Sequence, residues 1–226
     1  MASKTVPPRP LPRLYLATPP VDDPQALLGV LPELLKAADI AAVLLRLKPT
    51  DPRTLISRIK ALAPGIQDQG AALLLDGHAD LVARAGADGA HLSGLGAFEE
   101  ALPALKPDRI AGVGGLATRH DSMTAGELGA DYVLFGEPDE KGQRPSMAAI
   151  CDRLQWWDEV FELPSAGFAG TLEEVGAFAA AGADFILAGD FIWTASEGPL
   201  VSLRAAVEAI HKAHAAMPAK AEVPQG

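Results

Sequence analysis

Arg46 and Lys48 stand two residues apart where the apolar run over residues 41–47 gives out before Pro49. If that run is a β-strand, its side chains alternate between faces, so the two cations point the same way past its end. Paired cations in that position suit an anion such as phosphate, although the polar end of an ordinary strand looks the same. Further groups able to do chemistry also follow apolar runs. Asp76 and His78 come after residues 71–75, His91 and Ser93 flank Leu92, and Lys141 lies in the most polar stretch, residues 136–145. Two stretches of small residues, 166–170 and 188–190, contain Gly167, Ala169, Gly170, Ala188 and Gly189. Backbone N–H groups there can approach an anion, and a helix opening at Thr171 would turn its positive dipole end toward the first stretch.

The elements that position these residues announce themselves through a repeated phrase. Gly86-Ala87-Asp88, Gly129-Ala130-Asp131 and Gly182-Ala183-Asp184 each end a helical pattern, and a short apolar run follows each. A glycine that takes the left-handed conformation stops the helix, and the Asp then begins a strand, which makes the three Asp residues structural. The runs are apolar on both faces, as in parallel sheets covered by crossover helices. Strands are predicted over 13–17, 41–47, 71–75, 89–92, 109–113, 132–135, 160–163 and 185–187. Between them fall helices over 24–38, from an Asp51 cap with Pro52 in the first turn, over a short piece from 79, through 105, over 119–128 and 147–157, from a Thr171/Glu174 capping box, and over 199–215. Eight strand–helix pairs predict an α/β fold of one (β/α)₈ TIM barrel, with a doubly wound open sheet as the alternative. In such a barrel, ligands meet the loops after the strands' C-terminal ends, and phosphates favour the last two.

Composition fits one barrel over residues 13–217 in a chain of 226. Hydrophobic residues make up 49%, with no apolar stretch of membrane-spanning length, so a soluble protein is expected. Lys and Arg number 19 against 29 Asp and Glu, a formal charge of −10 that argues against nucleic-acid or anionic-membrane partners. Cys151 is the one cysteine, so no disulfide or cysteine metal cluster can form within the chain. His78, His120, His211 and His214 lack partners at metal-ligand spacing, and His91, between apolar neighbours, has the setting of a hydrogen-bonded core residue. Gly112-x-Gly114-Gly115 reads as a turn. Residues 1–12 carry four prolines and no apolar signal core, which suggests a flexible arm on a cytoplasmic protein, and residues 218–226 look equally loose. One ring of Trp156-Trp157 is expected to pack on the barrel and leave the other for a contact surface, such as one between copies in a homo-oligomer.

Three segments carry a resemblance to a known family. Leu45-Arg46-Leu47-Lys48 resembles a Gln-x-Arg-x-Lys strand, residues 85–92 an Ala-Asp-Gly-Val-His-Leu segment, and residues 129–136 a sixth barrel strand, all of the thiamine phosphate synthases and their sister thiazole tautomerases. The resemblance covers about residues 14–213. It implies an enzyme joining a hydroxymethylpyrimidine diphosphate to a thiazole phosphate, with Mg²⁺ and cationic side chains neutralising the departing pyrophosphate. It implies Arg46, Lys48, Asp76 and Lys141 as catalytic residues, with Asp76, one residue from the family's metal position, as the substitute metal ligand. His91, Ser93, Gly167, Ala169, Gly170, Ala188 and Gly189 are implied to contact phosphate or substrate.

The chain departs from that pattern at several of these positions. Leu44 replaces the family's Gln, Gly77 and Gly96 stand where it places its two magnesium carboxylates, and Gly114-Gly115-Leu116 replaces Ser-x-His after the fifth strand. Phe168 and Phe185 replace small residues near the phosphate loops. Metal-dependent catalysis is therefore expected to be weak or absent. Alternatives are a synthase with a rearranged metal site, in which Asp76 with Glu137 or Asp139 recruits Mg²⁺, a binder of a phosphorylated ligand or of a partner protein that needs no metal, catalytic or not, and a tautomerase-like enzyme.

Overall fold

A computed structural model describes residues 9–139 and 141–217; residues 1–8 and 218–226, most of the expected arm and the whole expected tail, lie outside the described residues. Eight parallel strands close into a barrel in sequence order. They are β1 (Arg13–Ala17), β2 (Ile40–Leu45), β3 (Ala72–Asp76), β4 (Gly89–Ser93), β5 (Ile110–Gly114), β6 (Tyr132–Phe135), β7 (Ser165–Ala169) and β8 (Phe185–Ala188). The open-sheet alternative is excluded, because β1 pairs with β8 from Arg13↔Phe185 to Leu16↔Ala188. No helix among the described residues is long and apolar enough to cross a membrane.

The repeated phrase has a stitching function beyond starting strands. Asp88 donates its N–H to Leu73 O and accepts Leu73 N–H on its carboxylate at 2.7 Å. Asp131 does the same with Ala111 at 2.7 Å, and Asp184 with Ser165 at 2.8 Å. Each Asp thus fixes the register of its own strand on the one before it. The glycines that precede them, Gly86, Gly129 and Gly182, have φ of 77°, 95° and 98°, the left-handed region expected at a helix stop.

Helices α1 (Gln25–Leu28), α2 (Leu31–Ala37), α3 (Pro52–Gln67), α4 (Val82–Ala85), α5 (Leu95–Leu105), α6 (Arg119–Glu127), α7 (Met147–Val160), α8 (Leu172–Ala180), α9 (Phe191–Thr194) and α10 (Pro199–Ala216) cover the barrel. The helix expected over 24–38 is two pieces, because Pro32 in the first turn of α2 has no N–H to give the preceding turn. The third helix starts as expected, with Thr54 N–H donating to Asp51 at 3.0 Å. Its Ile59, Leu62 and Ile66 are at most 1% exposed. Each such side chain contributes about 1.5–3 kcal/mol relative to exposure.

The seventh strand lies elsewhere than expected. Residues 160–163 do not form a strand: α7 runs on to Val160, Phe161 stacks on Trp157 with centroids 4.2 Å apart, and Trp157 Nε1 donates to Leu163 O at 2.7 Å. These residues seal the helix end, and residues 165–169 form the strand, small at every position but Phe168. Trp156 is partly buried beneath the Arg119 guanidinium, 4.5 Å from its ring centre.

Two apolar clusters divide the core. The larger one lies between barrel and helices and takes the outward residues of the strands, such as Val43, Leu73, Val113, Val133 and Ile186. The smaller one fills the barrel: Tyr15, Ala42, Leu44, Leu74, Tyr132, Leu134 and Leu187 belong to it. Alternation along each strand then aims Arg46, Asp76, His91 and Phe168 toward the barrel axis near its C-terminal mouth.

Candidate active site at the barrel mouth

Strand β5 leaves its inward positions bare. A Cβ on Gly112 would stand 2.1 Å from Tyr132 Cζ, and one on Gly114 2.2 Å from Glu137 Oε2. The glycines read as a turn are therefore slots that admit an aromatic ring and a carboxylate. Through them runs a chain of hydrogen bonds. Tyr132 Oη lies 2.9 Å from Tyr15 Oη and 2.9 Å from His91 Nδ1; His91 Nε2 lies 2.9 Å from Glu137 Oε2; and Ser93 Oγ donates to Glu137 Oε1 at 2.5 Å.

The partners fix the direction of that chain. Burial pushes both tyrosines well above their ordinary pKa, with the neighbouring tyrosine adding to the rise at Tyr15, so each keeps its O–H. An ionised Glu137 only accepts, so Nε2–H donates to it, and Nδ1 then accepts from Tyr132 O–H. Tyr132 oxygen is left to accept from Tyr15. The opposite tautomer would turn Tyr132 O–H toward Tyr15 and leave Tyr15 O–H with no acceptor among the described residues. His91, 3% exposed, is thus a core histidine with both ring nitrogens taken, and it has no donor left for a phosphate.

The two cations just past β2 are held by the protein's own acids. Arg46 Nε donates to Thr18 O, and its guanidinium pairs with Asp190 just past β8. Lys48 Nζ is 3.8 Å from Asp22 and more exposed, so it is the more available of the two. Asp76 ends β3 beside His91 and opens to solvent at the mouth. Lost hydration raises its pKa, with the charge of Glu137 adding to the rise and His91 and Arg46 opposing it.

The residues expected to cradle phosphate after β7 and β8 are arranged differently. Gly167 and Ala169 belong to β7 itself and face α8: a Cβ on Gly167 would meet the Phe178 ring at 2.9 Å, and Ala169 is buried in the outer cluster. Ala188 likewise faces outward. Gly189 N–H donates to Ala169 O at 3.2 Å, and Phe168 lies over its inner side. Gly170 does present its N–H at the start of α8, but Glu174 accepts it at 2.6 Å. The expected capping box therefore closes one residue early, with Thr171 accepting Glu174 N–H at 3.3 Å. Phe185 sits at the opposite end of the barrel, lining an apolar pocket of about 290 Å³ with Tyr15 and Ala42.

Lys141 is exposed and does not line the mouth. Asp139 accepts the N–H groups of Lys141 and Gln143 at 2.9 and 2.8 Å, which folds the loop so that Arg144 crosses the mouth instead. Arg144 donates to Gly136 O and Phe168 O, both at 2.6 Å, and to Glu174 at 3.1 Å, with Phe168 beneath it. Tyr132, Tyr15 and Arg144 were not singled out in the sequence, and Glu137, expected only as an acid that could recruit a metal, is instead bound by His91 and Ser93. The signal was the alternation of Gly112 and Gly114, which marks an inner face left open for something large.

Between the ends of β4, β5 and β6 lies a cleft of about 570 Å³ lined by Ser93, Leu116, Phe135, Glu137, Arg144 and Arg153 among others. Its fit to a magnesium ion can be tested on the acids present. A Cβ on Gly77 or Gly96 meets nothing within 4 Å, so no other side chain fills either carboxylate position. Among the described residues no group of three or more His, Cys, Asp or Glu is arranged to hold a metal ion. Mg²⁺ is usually held by one or two carboxylates together with substrate phosphates, and with Gly77 and Gly96 bare, Asp76 is the acid left beside these positions on β3.

Residues 14–192 match the family described as thiamine monophosphate synthase. The chain belongs to the thiamine monophosphate synthase family. It is 38% identical over 194 residues to a thiamine-phosphate synthase of Rhodospirillum centenum, covering 84% of this chain and 94% of that one. A thiamine-phosphate synthase of Hyphomonas neptunium is 34% identical over 212 residues, with 89% and 95% covered. Among solved structures, a thiamine phosphate pyrophosphorylase from Pyrococcus furiosus superposes with a TM-score of 0.71 at 17% identity, covering 89% of this chain and 96% of that one; at that identity the likeness is of fold. The synthase family thus matches the β1 to α9 span, the part of the chain that forms the mouth.

Proposed function

We propose that this thiamine phosphate synthase-like protein binds a phosphorylated small molecule at its mouth through Arg46 and Lys48, and that magnesium-dependent condensation there is weak or absent. The family reaction joins a hydroxymethylpyrimidine diphosphate to a thiazole phosphate, and Mg²⁺, when bound, neutralises the departing pyrophosphate. The observation that supports the reading is the pair of unfilled glycine positions, Gly77 and Gly96, with Asp76 as the one acid beside them on β3. Loss of one electrostatic contact to a developing charge costs about 10²–10³ in rate. Two such losses leave little turnover.

The chain's own residues then act chiefly by binding. Lys48 meets an anion first, being the more exposed cation, and Arg46 joins it after exchanging Asp190 for the ligand. Cationic donors hold phosphate through short, charge-assisted bonds without a metal. The balance of −10 supports neither a nucleic-acid nor a membrane partner, in keeping with a cytoplasmic protein.

Thiamine phosphate formation from the two precursors with Mg²⁺ tests the catalytic half, and a turnover of about 1 per second or more would overturn it. Titration with inorganic phosphate tests the binding half. Wild type should bind, Arg46→Ala with Lys48→Ala should not, and equal binding by both would refute the site.

A further inference from the structure

The carboxylate of Glu137 is built into the fold at the cost of side chains elsewhere. Gly114 is bare beneath it, and a Cβ on Gly115 would stand 2.5 Å from Ser93 Oγ, its supporting hydroxyl. His91 and Ser93 each donate to a different oxygen of the group, which fixes its orientation. An ionised carboxylate has about four acceptor positions, so about two stay unfilled. Its side chain is 13% exposed, and that opening is into the cleft it lines. Neighbouring cations do not use the unfilled positions. Arg144 is bound to Gly136, Phe168 and Glu174, and Arg153 donates to the carbonyls of Leu116 and Ala117.

We infer that Glu137 is the recognition carboxylate of this cleft and takes a planar cationic ligand group that presents N–H donors, an amidine or a guanidine. Two parallel N–H groups match the two oxygens of a carboxylate, and charge assistance makes such bonds roughly twice as strong as neutral ones. Leu116, Leu134, Phe135 and Ile150 supply apolar walls for a flat ring, and the volume lies in the usual range of about 300–1,000 Å³ for small-molecule sites. The same negative charge turns phosphate away from this side of the mouth. The inference does not depend on Arg46 and Lys48 binding phosphate.

Benzamidine is a suitable probe, with benzyl alcohol as its uncharged counterpart, both titrated against the full chain by ¹H–¹⁵N NMR. Benzamidine should bind in the range of about 1–10 mM, shifting the amides of Ser93, Gly94, Gly115 and Glu137, and benzyl alcohol should bind much more weakly. Glu137→Gln should weaken benzamidine by about tenfold or more. Gly114→Ala should do the same while keeping the charge, because its Cβ meets only the movable end of Glu137 and swings the carboxylate out of place. A phosphate titration should match wild type in Gly114→Ala and show no loss in Glu137→Gln, which separates failure here from failure of the phosphate site. Benzamidine binding that is absent, that shifts other amides, that benzyl alcohol equals, or that survives Gly114→Ala would overturn the inference.

Discussion

Glu174 turns its carboxylate back onto Gly170, accepting that residue's N–H at 2.6 Å, and so stands where an anion would meet the start of α8. The protein supplies its own anion at the position where the family likeness implies a phosphate. Glu174→Gln keeps an acceptor for Gly170 and Arg144 but removes the charge. Phosphate affinity, followed by NMR titration, should rise about threefold to tenfold, the scale of one charge seen across a partly solvated mouth.

Asp190 bears on Arg46 in the same way from the end of β8. Asp190→Asn should free the guanidinium and tighten phosphate binding, again by about threefold to tenfold. If Arg46 is the group released, the gain vanishes in the double variant with Arg46→Ala. Isothermal titration of the four proteins completes the cycle.

Two glycines should respond oppositely to a side chain. A Cβ on Gly89 would lie 2.1 Å from Ile110 O, a backbone atom of the neighbouring strand, so Gly89→Ala must push β4 from β5. Urea unfolding should show a loss of about 3 kcal/mol or more, beyond the usual range for a single substitution. Gly96, in the first turn of α5, has open space, and Gly96→Asp should add about 0.3–1 kcal/mol through the helix dipole. It also restores a carboxylate at a family magnesium position. Thiamine phosphate formation with Mg²⁺ should therefore rise above wild type in Gly96→Asp.

The raised pKa of Asp76 gives a pH dependence of known sign. Lost hydration makes the folded protein hold this proton more tightly than the unfolded chain, whose Asp has the usual value of 3.8. The contribution of Asp76 to stability is thus fully present below that value and is lost as pH rises through the folded value. Asp76→Asn removes the loss, so the variant should melt above wild type at about pH 7 and the difference should shrink at about pH 4. Thermal denaturation at both pH values, in a metal-free buffer, checks it.

Much of the architecture follows from the sequence because its causes are local. The glycines at 86, 129 and 182 stop helices through backbone freedom alone, and apolar runs buried on both faces specify parallel strands whatever surrounds them. Alternation along β2 sufficed to aim Arg46 at the mouth. Residues 160–163 and 165–169 could not be told apart in this way, since both are short and mainly apolar. Stacking of Phe161 on Trp157 decided between them, a contact made only once α7 is packed.

The site divides along the same line. Residue types at strand ends gave Arg46, Lys48, Asp76, His91 and Ser93, because position past a strand is a local property. Which of them can reach a ligand depends on partners distant in the chain: Asp190 lies 144 residues from Arg46, and Glu137 46 residues from His91. Glycines at 112 and 114 are bare in the sequence without stating what fills the space. The closed barrel brings Tyr132 and Glu137 over them, because neighbouring strands in a closed sheet share one interior, and only that enclosure turns two absent side chains into the seat of a carboxylate.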